Sequence, residues 1–119
     1  MTQKELLLKD LCARLLYGVK SSDREEIITI RAYHPSGVID DFGRMHNIEN
    51  IKPYLFLLSS MTKEQKEEMK SFDPFKIEGT KTFGQWAVHL VDFYNKHHFD
   101  YRGLIEKGLA LDATGLGIY

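Results

Sequence analysis

The residues "EIITIRAYHPSGVIDDF", Glu26 to Phe42, constrain the fold most, because their apolar residues recur at every second position. Alternation of period two marks a half-buried strand, whose neighbouring side chains point to opposite faces. Ile28, Ile30 and Ala32 would face one side, and Ile27, Thr29, Arg31 and Tyr33 the other. "HPSG" then reads as a turn and "VIDDF" as the returning strand of an antiparallel hairpin. "VKSS" before the hairpin, "YLFLL" after Pro53, and "FKIEG", Phe75 to Gly79, are further strand candidates.

On both sides of this segment the period becomes helical. Three stretches open with a threonine followed three residues later by Glu or Gln, a reciprocal helix cap: Thr2 with Glu5, Thr62 with Gln65, and Thr82 with Gln85. After Thr2, the spacing of Leu7, Leu8, Leu11, Cys12, Leu15 and Leu16 predicts one buried face, stopped at Gly18. After Thr62 only Met69 and Phe72 are apolar, which predicts a short exposed helix closed by Asp73-Pro74. After Thr82 the stripe Phe83, Trp86, Ala87, Leu90, Val91 and Tyr94 predicts a second core helix, with Gln85, His89, Asp92 and Lys96 displaced from it. The tail "GLIEKGLALDATGLGIY" is broken by glycines and is expected to lie irregularly on the core through Leu104, Ile105, Leu109 and Leu111.

These elements define one α+β domain over residues 1–119. Its expected parts are an N-terminal helix, a short antiparallel sheet or small barrel of about three to five strands, a short exposed helix, and a C-terminal core helix with an irregular tail. A 43% hydrophobic content is enough for one core.

Charge and cysteine content narrow the function. With 16 basic and 17 acidic residues there is no global field to draw the protein onto a polyanion. Nucleic-acid binding would need a local pair such as Tyr54 with Lys52, or Tyr101 with Arg102. The single cysteine, Cys12, excludes an internal disulfide and a multi-cysteine zinc site. With no basic N-terminal region followed by a long apolar stretch, a cytoplasmic protein without membrane contact is expected.

The densest chemistry lies in "YNKHHFDYRG", Tyr94 to Gly103. Imidazoles and carboxylates there suggest a metal, yet His97 sits about 80° around the helix from His89, so neither metal nor cofactor is expected. His97 is expected as a half-buried ring bonded to a backbone carbonyl, and His97 or His98 as a complement to the helix C-terminus. Asp100 is placed to cap the next turn, and Arg102 to pair with Asp100 or an anionic ligand. Cys12, within the apolar face, is expected to be buried and inert. Asp40 and Asp41, adjacent on a strand, point to opposite faces, leaving one solvated. The candidate ligand-binding residues are Tyr54, His98, Asp100, Tyr101 and Arg102, and no catalytic residue is identified.

Three segments, "LLLKDLCARLLYGVK", "IKPYLFLLSSMTKEQ" and "NKHHFDYRGLIEKGLAL", resemble the signature segments of a family of short hypothetical proteins from gut bacteria, prophages and phages. They cover somewhat under half of the chain. Phe56 and Leu57 stand where that family commonly has arginine and proline, and the stretch from Lys20 to Ile51 is short, so no basic residue beside Tyr54 carries over. The resemblance implies a phage-type accessory protein and implies no activity, cofactor or catalytic residue. The leading expectation is a non-enzymatic protein that binds a host protein or a small nucleotide-like ligand, with homo-oligomerisation left open. The alternatives are a small metal-dependent or acid/base enzyme using the His89 to Arg102 region, and a replication-associated nucleic-acid binder with an Sm-like barrel.

Overall fold

A computed structural model describes residues 2–71 and 83–119. The expected strand "FKIEG", the Asp73-Pro74 stop and the Thr82 cap lie outside the described residues. β1 (Lys20–Asp23), β2 (Glu26–His34), β3 (Gly37–Asp40) and β4 (Met45–Asn47) form an antiparallel meander. A single 3-10 turn, Ile48–Asn50, then sends β5 (Ile51–Leu55) back to pair antiparallel with β1. β6 (Leu111–Asp112) joins β5 in parallel, so the order is β4-β3-β2-β1-β5-β6.

The α+β class is as expected, and the hairpin falls where the alternation put it. Two details differ. The sheet has six strands among the described residues, and one of them pairs in parallel. β6 is two residues long, too short to show any period. "YLFLL" is strand only to Leu55, because β5 starts earlier, at Ile51, and Leu57 and Leu58 are exposed.

A bulge at Arg31 changes which residues of β2 face inward. Ile30 pairs with Asp40 and Ala32 with Ile39, so Arg31 is the extra residue. Beyond it Tyr33, rather than Ala32, shares a face with buried Val38. The inner face carries Ser21, Ile28, Ile30, Val38, Asp40, His46, Ile51 and Leu55, all buried. This face is strongly curled. In a flat sheet β4 and β1 would be about 14 Å apart, three spacings of ~4.8 Å, farther than two side chains can span. Nevertheless His46 on β4 hydrogen-bonds Asp23 on β1.

α1 (Gln3–Ala13) closes one side of this curl with Leu7 and Leu11. Its start is capped by Thr2, whose hydroxyl accepts from the Glu5 N–H. A 3-10 turn, Leu15–Tyr17, follows and ends at Gly18 in the left-handed conformation, φ 63°. The buried stripe is only in part the expected row of leucines: Leu7 and Leu11 are buried, and Leu8 and Leu15 pack against the core. Cys12 is exposed and Leu16 is 91% exposed, whereas Asp10 and Arg14 are buried. Leu7, Asp10, Leu11 and Arg14 stand at i, i+3, i+4 and i+7, one face of a helix, and Leu8, Cys12 and Leu16 form the adjacent row.

α2 (Lys63–Lys70) is short and exposed, with both bonds of the Thr62–Gln65 capping box formed. α3 (Phe83–Lys96) departs from its expected role as a core helix. Ala87, Val88 and Val91 are exposed, Trp86, Leu90 and Tyr94 half-buried, and full burial comes only at Phe93 and Asn95. Its last turn meets α2 and the segment that follows the helix. There Tyr94 touches Met69 of α2, and Phe93 stacks on Phe99 at 6.1 Å between ring centroids. The tail packs as expected, with Leu104 buried in the core and Ile105 and Leu109 against it. No helix among the described residues is long and apolar enough to cross a membrane.

Candidate functional site

The segment after α3 is fixed by its backbone. Phe99 N–H donates to Tyr94 O and His98 N–H to Asn95 O, while His98 itself is left-handed at φ 61°. This is a Schellman ending with histidine where glycine usually stands. One histidine does serve the helix end, through main-chain conformation rather than charge. Phe56 N–H then donates to His98 O and Asp100 N–H to Phe56 O, which ties the segment to the end of β5.

Each candidate residue now has a place. The Asp100 carboxylate accepts from the N–H groups of Leu104 and Ile105 at 2.8 and 2.9 Å, so it caps the next turn as expected. The His98 ring stacks on Tyr119, with centroids 3.7 Å apart. Burial, then the charges of Arg14, His97 and Lys20, push its pKa down to about 4, so the ring is neutral at pH 7. Tyr54 enters only by its carbonyl, which accepts from the Tyr119 hydroxyl at 2.8 Å. The phenol of Tyr119 is itself held well above its ordinary pKa by burial. His97 is half-buried as expected, but its Nε2 lies 3.3 Å from Glu68 of α2, without hydrogen-bond alignment, instead of on a carbonyl.

Arg102 does not pair with Asp100. Its Nε lies 3.3 Å from Oδ1 of Asp10, an ion-pair distance without hydrogen-bond alignment. That carboxylate is already engaged. Arg14 Nε donates to Asp10 Oδ2 at 2.8 Å and Nη2 to Oδ1 at 3.2 Å, both side chains being fully buried. Nη2 also donates to the carbonyl of Phe99 at 2.6 Å. The last nitrogen, Nη1, is buried and has no acceptor.

Two guanidiniums therefore share one carboxylate. Tyr101 lies beside both, its ring centroid 5.2 Å from the Arg14 Cζ and 5.1 Å from that of Arg102. A ring face offers a cation ~0.5–2 kcal/mol, below the several kcal/mol that a buried, uncompensated ion costs. The surplus charge is only partly offset. Tyr101 is not an open stacking platform, because it stacks on Tyr94 at 5.6 Å and donates its hydroxyl to Asn95. Tyr101, Arg102 and Asp100 are thus brought to the end of α1, with His98 behind them and Tyr54 joined only through Tyr119.

Sequence reasoning passed over Asp10 and Arg14, although their positions among Leu7 and Leu11 were a readable signal. It also passed over a second polar cluster, on the inner face of the sheet. His46 Nδ1 and Nε2 lie 2.5 Å from Asp23 and 2.8 Å from Asp40. A neutral imidazole has one N–H and cannot donate to both carboxylates, so the ring is the imidazolium. Burial opposes this charge, but the hydrogen bonds to Asp40 and Asp23 and their charges outweigh it and raise the pKa. Asp40 is buried while Asp41 is exposed, as expected of neighbours on a strand. Although burial works against its charge, the bond from His46, the N–H groups of Arg44 and Phe42, and the Arg44 charge hold the Asp40 carboxyl far below the usual range. Arg44 extends the chain of charges to Glu26 at 2.5 Å. Every member faces another, so the cluster clamps the curl.

Among the described residues no three His, Cys, Asp or Glu side chains are grouped to hold a metal ion. His89 is exposed on α3. Cys12 is exposed, contrary to expectation, and partial burial still pushes its thiol pKa up, which keeps thiolate scarce. No known protein family, curated protein or solved structure matches the chain.

Proposed function

We propose that this chain is a non-enzymatic binding protein, an accessory protein of phage or mobile-element type that acts in the cytoplasm on a host protein or a nucleotide-like ligand. One observation carries the reading: two guanidiniums, Arg14 and Arg102, converge on the single carboxylate of Asp10 at the end of α1. His98 is neutral, with its pKa pushed down to about 4, and the Tyr119 phenol is pushed up. Such a centre suits recognition of an anion better than general acid/base chemistry, which calls for a pKa near the working pH. Capping by Asp100 and the exposed position of His89 weigh against the acid/base alternative.

Native mass spectrometry of the protein purified from a lysate of its host tests the proposal. The expected result is a stoichiometric complex that reforms when the identified component is added back to purified protein. A clean apo protein that captures and rebinds nothing overturns it.

A further inference from the structure

We propose that Arg14 and Arg102 together receive a single oxyanion, a phosphate or carboxylate group, docking beside Tyr101 where the end of α1 meets the Asp100–Gly103 turn. This rests on the binding reading above and names the ligand chemistry of that site.

Arg14 is fully buried, yet its Nη1 has no acceptor, and the Nε of Arg102 makes no aligned hydrogen bond. A buried N–H of a charged group is costly to leave unpaired, and protein interiors rarely do so. Both orphaned atoms belong to planar forks that match the paired oxygens of phosphate or carboxylate. The charges agree. Around the Arg14 guanidinium, α1 contributes Asp10, the tail segment contributes Arg102 and neutral His98, and β1 contributes Lys20 at longer range. Asp100 turns both oxygens to backbone N–H groups, and among the described residues it bonds to neither arginine. The buried Nδ1 of His98, also without a partner, is a further donor when the neutral ring carries its proton there.

Arg102 provides the way in. Its side chain is 23% exposed and its link to Asp10 is unaligned, so it can turn toward an incoming anion at the loss of a weak contact. The site selects an oxyanion and not an aromatic base, because Tyr94 already occupies a face of Tyr101.

Thermal-shift and calorimetric titrations of the full chain with inorganic phosphate, AMP and acetate, at constant ionic strength against chloride, test this. A saturable response to phosphate and AMP supports a phosphate source, and one confined to acetate supports a carboxylate source. Arg102→Gln removes a partly exposed group and is expected to fold, while weakening the response by at least about tenfold. Arg14→Lys is a second variant, read only if its circular dichroism is native. No saturable response in the wild type, or an equal response in Arg102→Gln, overturns the site. If oxyanions fail while a host component still binds both wild type and Arg102→Gln, the site is wrong and the binding reading stands. If neither binds, both fall.

Discussion

Replacing Asp10 by alanine removes the carboxylate that, alone among the described residues, faces both Arg14 and Arg102. Both members of the Asp10–Arg14 pair are fully buried, so solvent cannot take over the lost bonds. Arg14 keeps one acceptor, the carbonyl of Phe99. Breaking a buried pair by deleting one partner costs ~3–5 kcal/mol, because the remaining ion is left uncompensated. A chain of 119 residues has a folding free energy of roughly 6–18 kcal/mol, so the loss is a large fraction of it. The melting temperature should fall by roughly 9–25 °C, at about 3–5 °C per kcal/mol for a chain of this size. Urea unfolding followed by circular dichroism measures the change directly. The double variant Asp10→Leu/Arg14→Met is the control, because removing both charges together should recover most of the loss. A loss below ~1 kcal/mol for Asp10→Ala, or a double variant no more stable than the single one, would refute the account of a buried charge centre.

Other tests address the rest of the frame. His46 has a raised pKa in the folded state, so its contribution to stability is complete below the unfolded value near 6.5 and is lost as pH rises through the folded value. His98 has the opposite sign: its contribution holds above about 6.5 and is lost as pH falls toward about 4. Stability against pH measured on His46→Asn and His98→Asn should show each variant losing one limb of the wild-type curve, and unchanged curves would contradict both assignments. Gly37→Ala would drive a methyl group into the carbonyl oxygen of His46 on the neighbouring strand, so severe destabilisation or loss of soluble protein is expected in a thermal melt. Thr62→Ala removes a capping box from an exposed helix and should cost ~1 kcal/mol, with faster amide exchange confined to α2.

The parts of the fold that were legible in the sequence are those whose forces act locally. The alternation of Glu26 to Phe42, the Thr62 cap and the turn at Asp100 all depend on near neighbours in the chain, and each was found in place. Parts that depend on distant partners were not legible. Asp10 finds Arg102, His46 finds Asp23, and Tyr119 finds Lys20 and Tyr54, pairings that no local period encodes. Arg31 reads as an ordinary member of the alternation, yet the bulge there shifts the register and pairs Tyr33, which stays exposed, with Val38. α3 misled for a different reason: its apolar stripe is real, but among the described residues of the helix full burial comes only at Phe93 and Asn95. For the site, Tyr101 and Arg102 are legible as ligand-binding candidates and lie beside the charged centre, while its buried half is hidden among leucines.

The clamp at His46 also bears on how this protein behaves in company. β4 is a terminal strand of three residues, with Met45 exposed on it and Phe42 exposed in the loop before it. Its free backbone groups are a template on which another chain could add a strand. Holding His46 against Asp23 draws that margin inward over the curl, where a second chain has poor access. Alkaline conditions, by discharging the imidazolium, would release the margin before the core melts. The first sign of stress in this molecule should therefore be self-association at its β4 border, visible by light scattering while far-ultraviolet circular dichroism is still native.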